Sequence, residues 1–546
     1  FYWFNLAADT APPVWSSATS GPAIEHHTFV LRHNLSEVVE NGARTTLQNE
    51  VLPGYVRQRR WFQHKDKQVE HVEVALAGLI GADADCFLYT EIAVTSDGRQ
   101  TRYALPMAIA WENAPSNPFE SPLALARVRK GARVGLLTDA FASPALARTV
   151  IAGLRAEKRI PLGSGEILFC PTDYFLESQN ADLDDPALEW PAAEQTNSTM
   201  VVGRKLVLKL LRRLGSGRHP EGEMSRFLTD KGFEGTPPLL GEMMRVDGNG
   251  DIATLVIAQG YVFNQGDGWE WTINRLSRIV DEGATPFTET GETGFAEYAE
   301  FARRTGLRIG QMHRLLAEPS EDPAFSPEVI TASRAAAVGA RILGQFDAAL
   351  NAGRATRNSE IAAAIKDIAA RRNELAARIN DRAQLAAGLS RTRIHGDLHL
   401  GQVLVTSEDV QIIDFEGEPA KALDERRRKY LPLRDVAGML RSFDYAAVEV
   451  ERRTTQAGGG EGVARAAVIL ADFRRYATKA LLQGYEDGLG QRLSEQQAGL
   501  LDLLMLEKAA YEVCYESANR PDWLAVPVGG LRLLVERLLV EDMALA

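Results

Sequence analysis

The chain is 546 residues long, too long for one ordinary core, so two to four structural units are expected. Its 45% apolar and 25% charged content is that of a soluble globular protein. With 61 basic against 73 acidic residues the formal net charge is −12, which argues against a general nucleic-acid binder but leaves room for a local basic groove.

Phe1-Tyr2-Trp3-Phe4-Asn5-Leu6 reads as a short aromatic strand, and the Pro/Ser/Ala/Thr stretch from Ala11 to Pro22 reads as a linker. A frayed terminus and the last strand of a preceding domain are equally compatible with this run. The chain begins at Phe1 with no basic n-region and apolar h-region, so no signal peptide is expected, and it reads as a piece of something longer. From about Leu31 to Pro106 the pattern favours strands, at Val69 to Leu76, Cys86 to Val94 and Tyr103 to Ala110. A helix is expected over Asp139 to Glu157, and a strand over Glu166 to Phe169. Ser198 to Leu211 predicts a hairpin turning at Gly203-Arg204, with Lys209 on its second strand and a helix from about Glu221. The turn Asp247-Gly248-Asn249-Gly250 joins two further strands, the second over Ala253 to Gln259.

After Gly268 the spacing becomes helical: Tyr298 to Leu316, Ala332 to Ala349, Glu360 to Leu385, Val463 to Tyr485 and Ser494 to Ala518. The glycine run Gly458 to Gly462 predicts a loop. A β-rich first half and a helical second half meeting near Tyr261 describe a bilobal α+β architecture. The expected divisions are 1–24 (terminal strand and linker), 25–135 (cap), 136–262 (intermediate part carrying Lys209) and 263–546 (helical lobe). Cys86, Cys170 and Cys514 lie far apart with no CxxC spacing, so neither a disulfide framework nor a zinc site follows, and a cytoplasmic location is expected. No apolar run approaches the ~20 residues of a bilayer span, so no membrane partner is expected.

Two runs carry the chemistry: Arg393-Ile394-His395-Gly396-Asp397-Leu398-His399-Leu400-Gly401-Gln402 and Ile412-Ile413-Asp414-Phe415-Glu416-Gly417-Glu418-Pro419. Phosphoryl transfer needs an acceptor hydroxyl held in line and a cation against the charge growing on the phosphates. Asp397 is placed to orient the hydroxyl and take its proton; Asp414 is placed to hold Mg²⁺ on ATP. Gln402 stands five residues after Asp397, where kinase loops carry a metal-binding Asn, and its amide oxygen suits Mg²⁺. Caps and turns are the ordinary reading of isolated Asp residues, but not of two at this spacing between apolar strands. His395 and His399 read first as supporting residues; His399 and Glu416 are also candidates for contacts to the acceptor substrate. Upstream, Lys209 suits the α and β phosphates, Glu223 is its candidate partner, and the turn from Gln195 to Thr199, with Thr196 and Ser198, is the expected phosphate cover.

These two runs resemble the maltokinase family, within the aminoglycoside-phosphotransferase-like kinases. Similar stretches are Pro432 to Tyr445, Glu507 to Glu512, Asn519 to Trp523 and the cap run Arg59-Arg60-Trp61-Phe62, after which Lys65 fits an expected lysine loosely. The resemblance implies a bilobal eukaryotic-protein-kinase-like fold, with a β-rich N-terminal cap and N-lobe and a mostly helical C-lobe. It also implies γ-phosphoryl transfer from ATP to the anomeric hydroxyl of maltose. Phe1 to Phe4 is similar to the final strand of a trehalose synthase, an enzyme found fused ahead of maltokinases. For the sugar, Lys508, Glu512 and Glu516 fall on one helical stripe and Tyr511 and Tyr515 on the next, with Glu507 beside them. An ion-paired helix with core tyrosines is the ordinary alternative. Asp435 and Arg441 read as structural ties, Glu360 to Leu385 as a solvated helix, and Arg426 to Lys429 as a surface run. A kinase for an aminoglycoside or choline, and a non-catalytic nucleotide-binding scaffold, are the competing functions; a paired-carboxylate glycosidase is weaker.

Overall fold

A computed structural model describes residues 27–62, 67–82, 85–112, 120–177, 183, 187–190, 197–281, 295–419, 421–457 and 460–540. The expected strand at Phe1 to Leu6, the linker at Ala11 to Pro22, Lys65, Gln195 and Thr196 lie outside these.

The first sheet holds β1 (Thr28–Val30), β2 (Val69–Ile80), β3 (Phe87–Ser96), β4 (Arg99–Ala104), β5 (Met107–Trp111), β6 (Ala124–Lys130) and β7 (Arg133–Asp139). Their order is β1-β6-β7-β5-β3-β2, with β4 also on β3. β3 is central and buried almost throughout, which is why it reads as a continuous apolar run. The strand expected over Tyr103 to Ala110 is two strands, because Pro106, with no N–H to donate, interrupts the ladder between Ala104 and Met107. Before β2 the chain is helical, not extended: α1 (Asn41–Thr46), a π-turn (Leu47–Val51) and α2 (Leu52–Gln58). Leu47, Val51, Tyr55 and Val56 recur at helical spacing and are buried, so tertiary burial settles a segment read as β.

α3 (Pro144–Arg155) is shorter than expected: Asp139 ends β7, and the helix starts only where Ser143 caps it and Pro144 takes the first position. The second sheet contains β8 (Arg159–Leu162), β9 (Gly165–Pro171), β10 (Leu188–Glu189), β11 (Ser198–Val202), β12 (Leu206–Leu210), β13 (Leu239–Val246) and β14 (Ile252–Gly260), in the order β10-β11-β12-β14-β13-β9-β8. α4 (Asp173–Glu177) and α5 (Pro220–Asp230) flank it. Arg212, just beyond β12, welds the two sheets. Its guanidinium meets Asp139 at 2.8 Å with both side chains buried, and its Nε donates to Ser198 Oγ at 2.8 Å.

The second lobe is built from α6 (Gly268–Asp281), α7 (Ala296–Leu316), α8 (Ala332–Arg354), α9 (Ser359–Ala370), α10 (Arg372–Ala383), α11 (Leu423–Arg426), α12 (Leu433–Ala457), α13 (Gly460–Leu489), α14 (Glu495–Asn519) and α15 (Ala525–Val540). Two small ribbons interrupt the helices: β15 (Glu328–Val329) with β16 (Ser390–Arg391), and β17 (Val403–Val405) with β18 (Val410–Ile412). The helix expected over Glu360 to Leu385 breaks at Arg371. The apolar stripe Ile361, Ile365, Ile368, Leu375, Ile379 has Arg372 in its path, and Arg372 turns aside to a bidentate pair with Asp347. α13 begins inside the glycine run read as a loop. α7 and α13 pack backbone to backbone through Gly306 and Gly310 on one and Gly484 and Gly488 on the other. Among the described residues no helix is long and apolar enough to cross a membrane.

Candidate active site

β12 alternates Leu206, Leu208 and Leu210 into the core, which turns Lys209 to the cleft between the lobes. Its ammonium lies 2.5 Å from Asp414, 2.6 Å from Glu416 and 2.8 Å from Glu221. Burial disfavours the charged ammonium, yet these carboxylates hold its pKa well above the ordinary lysine value. Asp414 follows β18 with φ at 68°, a conformation that non-glycine residues seldom adopt, and the turn aims its carboxylate into the cleft. Burial would raise Asp414, but Lys209 and Gln402 hold it down to about 2. Burial raises Glu221 to about 7 against the pull of Lys209.

Asp397 lies across the same cleft, and Lys508 Nζ donates to its Oδ1 at 3.3 Å. Lys508 outweighs the burial of Asp397 and keeps its pKa below the usual value, so the group is ionised. One imidazole spans the two Asp-bearing loops. His395 Nε2 donates to Ile413 O at 2.8 Å, which leaves Nδ1 to accept from Asp397 N at 3.3 Å. Asp435, on α12, accepts from the backbone N–H groups of His395 (2.8 Å) and Gly396 (2.9 Å), so it ties the catalytic loop from below. His313 Nε2 meets Asp435 at 3.2 Å, and its Nδ1 meets Tyr485 Oη at 3.0 Å. Arg441 works elsewhere, joining α12 to Glu512 on α14 at 2.8 Å.

The structure redistributes several expected roles. Lys209 pairs with Glu221 rather than Glu223, which turns away to Arg393 and Arg427. Positions 221 and 223 face nearly opposite sides of α5, and Gly222 between them lies against Glu242 with no room for a Cβ. Ser198 is buried with its hydroxyl engaged by Arg212; its neighbour Asn197 faces the cleft instead, donating Nδ2 to Glu416 at 2.5 Å. Glu416 thus lies in the Lys209 cluster. His399 accepts from Gly401 N through Nδ1 at 3.0 Å and starts the turn that carries Gln402. The run Arg426 to Lys429 is not a free surface run: Arg427 is on Glu223, and Lys429 is on Glu328 at 2.9 Å.

On α14, Glu507 is held bidentately by Arg341 (2.8 and 3.1 Å). Lys508 lies over the Tyr511 ring at 5.1 Å, and Tyr511 stacks on Tyr515. Sequence reasoning missed Glu221 and Glu418, and took Asn197 only as one member of the turn from Gln195 to Thr199. Glu418, beside this site, is paired with Arg434 (3.1 Å) and Lys421 (2.7 Å). The signal for Glu221 was two acids in one first turn; for Asn197 it was a turn assigned by type and not by residue.

Carboxylate oxygens of Glu221, Asp414 and Glu416 lie within 4.8 Å of one another around the Lys209 ammonium, and of the three Asp414 also faces Gln402, a pair of hard oxygen donors suited to a divalent cation. The Gln402 amide donates Nε2 to Asp414 Oδ2 at 3.1 Å; turned over, it offers its oxygen to a cation held by Asp414.

Residues 279–476 match the model of the phosphotransferase enzyme family (APH), a stretch that includes Asp397, Gln402 and Asp414 but not Lys209. The chain is 26% identical over 355 residues to a glucosamine kinase of Mycolicibacterium smegmatis, covering 63% of this chain and 78% of the relative. A glucosamine kinase of Streptacidiphilus jiangxiensis is 26% identical over 357 residues, covering 63% and 73%. A solved glucosamine kinase in complex with glucosamine, ADP and inorganic phosphate superposes with a TM-score of 0.58 at 20% identity, over 92% of this chain and 100% of that one. Another crystal form of glucosamine kinase gives 0.60 at 20% identity, over 89% and 99%. The fold is therefore kinase-like, bilobal and α+β. The stretch that matches the phosphotransferase enzyme family (APH) lies in the helical lobe of this fold and holds both Asp-bearing loops.

Proposed function

We propose that the chain is an ATP- and Mg²⁺-dependent sugar kinase that phosphorylates maltose at its anomeric hydroxyl, releasing maltose 1-phosphate and ADP for α-glucan synthesis in the cytoplasm. The observation that carries the kinase reading is the single cleft in which His395 ties the Asp397 loop to the Asp414 loop while Lys209 reaches Asp414 from the other lobe. Asp397, ionised and oriented by Lys508, accepts the proton of the sugar hydroxyl and aims its oxygen at the γ-phosphorus. Lys209 binds the α and β phosphates once they compete for it. Asp414 and Gln402 would hold Mg²⁺, which when bound neutralises charge on the phosphates.

The choice of a neutral sugar rests on the charge balance around Lys508. Glu418, Glu507, Glu512 and Glu516 are each matched by a guanidinium or ammonium: Arg434 and Lys421, Arg341, Arg441, and Arg520. An amino sugar's ammonium would have to displace one of these cations, whereas hydroxyls and ring faces can use Lys508, Tyr511 and Tyr515 as they stand. The names of the curated relatives favour the second reading, glucosamine. The similarity of Phe1 to Phe4 to the end of a trehalose synthase extends the proposal to a bifunctional trehalose synthase/maltokinase.

³¹P NMR of products formed from ATP with maltose, glucose, glucosamine or kanamycin separates these readings. An anomeric phosphate on maltose is the expected result. Turnover of glucosamine without maltose would transfer the assignment to the amino sugar, and ATP binding with no product from any acceptor would leave a scaffold.

A further inference from the structure

The carboxylate that turned away from Lys209 has a partner set of its own. Glu223 lies two positions after Glu221 in the first turn of α5, about 200° around the helix. Its Oε2 accepts from Arg393 Nη1 at 3.1 Å and Arg427 Nε at 2.9 Å, and its Oε1 accepts from Arg427 Nη2 at 2.5 Å. Arg393 enters the catalytic loop two residues before His395, and Arg427 belongs to the segment that follows the Asp414 turn. One side chain of the first lobe therefore binds the entry to the catalytic loop and the end of α11, the short helix that follows the Asp414 turn.

A second contact on the same helical stripe points the same way. Phe227, one turn after Glu223, stacks on Phe325 with centroids 4.2 Å apart and planes at 4°. The Arg393 guanidinium lies over the Phe325 ring at 5.2 Å. Arg393 is 1% exposed, and Glu223 is the carboxylate in ion-pair contact with this buried cation, with Asp322 acting on it from farther away. Undocking α5 would take its directly paired carboxylate from a buried guanidinium, a costly change.

We infer that Glu223 is a positioning residue. It clamps α5 to the catalytic loop and to α11 just downstream of the metal-side turn, and so holds Glu221 against Lys209 whether or not nucleotide is bound. This rests on the kinase reading above, but the clamp can be read without turnover.

The test compares wild type, Glu223→Gln, Glu221→Gln and the double variant for MgADP affinity by calorimetry, and for kcat and both KM values by ADP release. Glu223→Gln is expected to weaken MgADP and lower kcat by about 10- to 100-fold, the usual size for supporting partners of a site. The sugar KM is expected to stay unchanged. The double variant should be no worse than Glu221→Gln alone, since both act through Lys209. MgADP affinity within about twofold of wild type in Glu223→Gln, losses that multiply in the double variant, or a parallel rise in sugar KM would overturn the clamp. Should Glu223→Gln fail to fold, Arg427→Gln, whose side chain is one-third exposed, reads the same link with the same expected and contrary results. A wild type that binds MgADP but phosphorylates no acceptor would sink the kinase reading while the calorimetric comparison still decides the clamp.

Discussion

Asp397 and Lys508 form one unit: the ammonium keeps the carboxylate ionised and fixes one oxygen, leaving the other for the acceptor. Asp397→Asn is expected to lower kcat by roughly 10²–10⁴-fold, with nucleotide affinity retained, in a coupled ADP assay alongside calorimetry. An unchanged rate would remove Asp397 from the chemistry. His399 gives a pH prediction. Burial depresses its pKa from 6.5 to about 4. The unfolded chain takes up this proton first, so the contribution is present above pH 6.5 and is lost as the pH falls toward 4. Between those limits wild type should lose melting temperature more steeply than His399→Asn, and parallel curves would contradict a neutral imidazole. That Asp397, Gln402 and Asp414 gather at one cleft was legible in the sequence, because they lie within two short loops. The choice between Glu221 and Glu223 was not. It depends on the rotation of α5, set by Glu242 behind Gly222 and by Arg393, 170 residues away along the chain. The nearness of Glu416 to Lys209 was not legible for a similar reason, since it follows the turn of positive φ at Asp414.

Elements with clean periodicity, such as α7, α8 and α14, were readable from spacing alone. α2 was hidden in a stretch dense in β-branched neighbours, and the break between α9 and α10 depends on Asp347 of another helix. The α7–α13 contact also escaped, because glycines at 306, 310, 484 and 488 read as weak helix formers until the two backbones are seen to touch. A Cβ at Gly484 would fall on the Arg303 carbonyl. Gly484→Ala should therefore separate the helices and destabilise the fold by about 1–3 kcal/mol, read as a lowered denaturation midpoint. The neighbouring Tyr485 carries this strain to His313 and Asp435, so activity should fall below what the loss of folded protein explains.

At the scale of the molecule, the division into sheets and helical lobe followed from the switch from period 2 to period 3.6 near Tyr261. The weld between the sheets did not, because nothing in the sequence couples Asp139 to Arg212. Asp139→Asn leaves that guanidinium buried and unmatched, and should cost about 3 kcal/mol or more in chemical denaturation. The Lys209 cluster has a consequence for the order of ligand arrival. The ammonium already answers to three acids, so a triphosphate arriving bare brings four more negative charges to a cluster whose ammonium is already shared. Nucleotide and divalent ion must then enter as a pair. Chelation with EDTA should abolish measurable ATP binding itself, not merely turnover, and ATP supplied in excess of magnesium should be a feeble competitor.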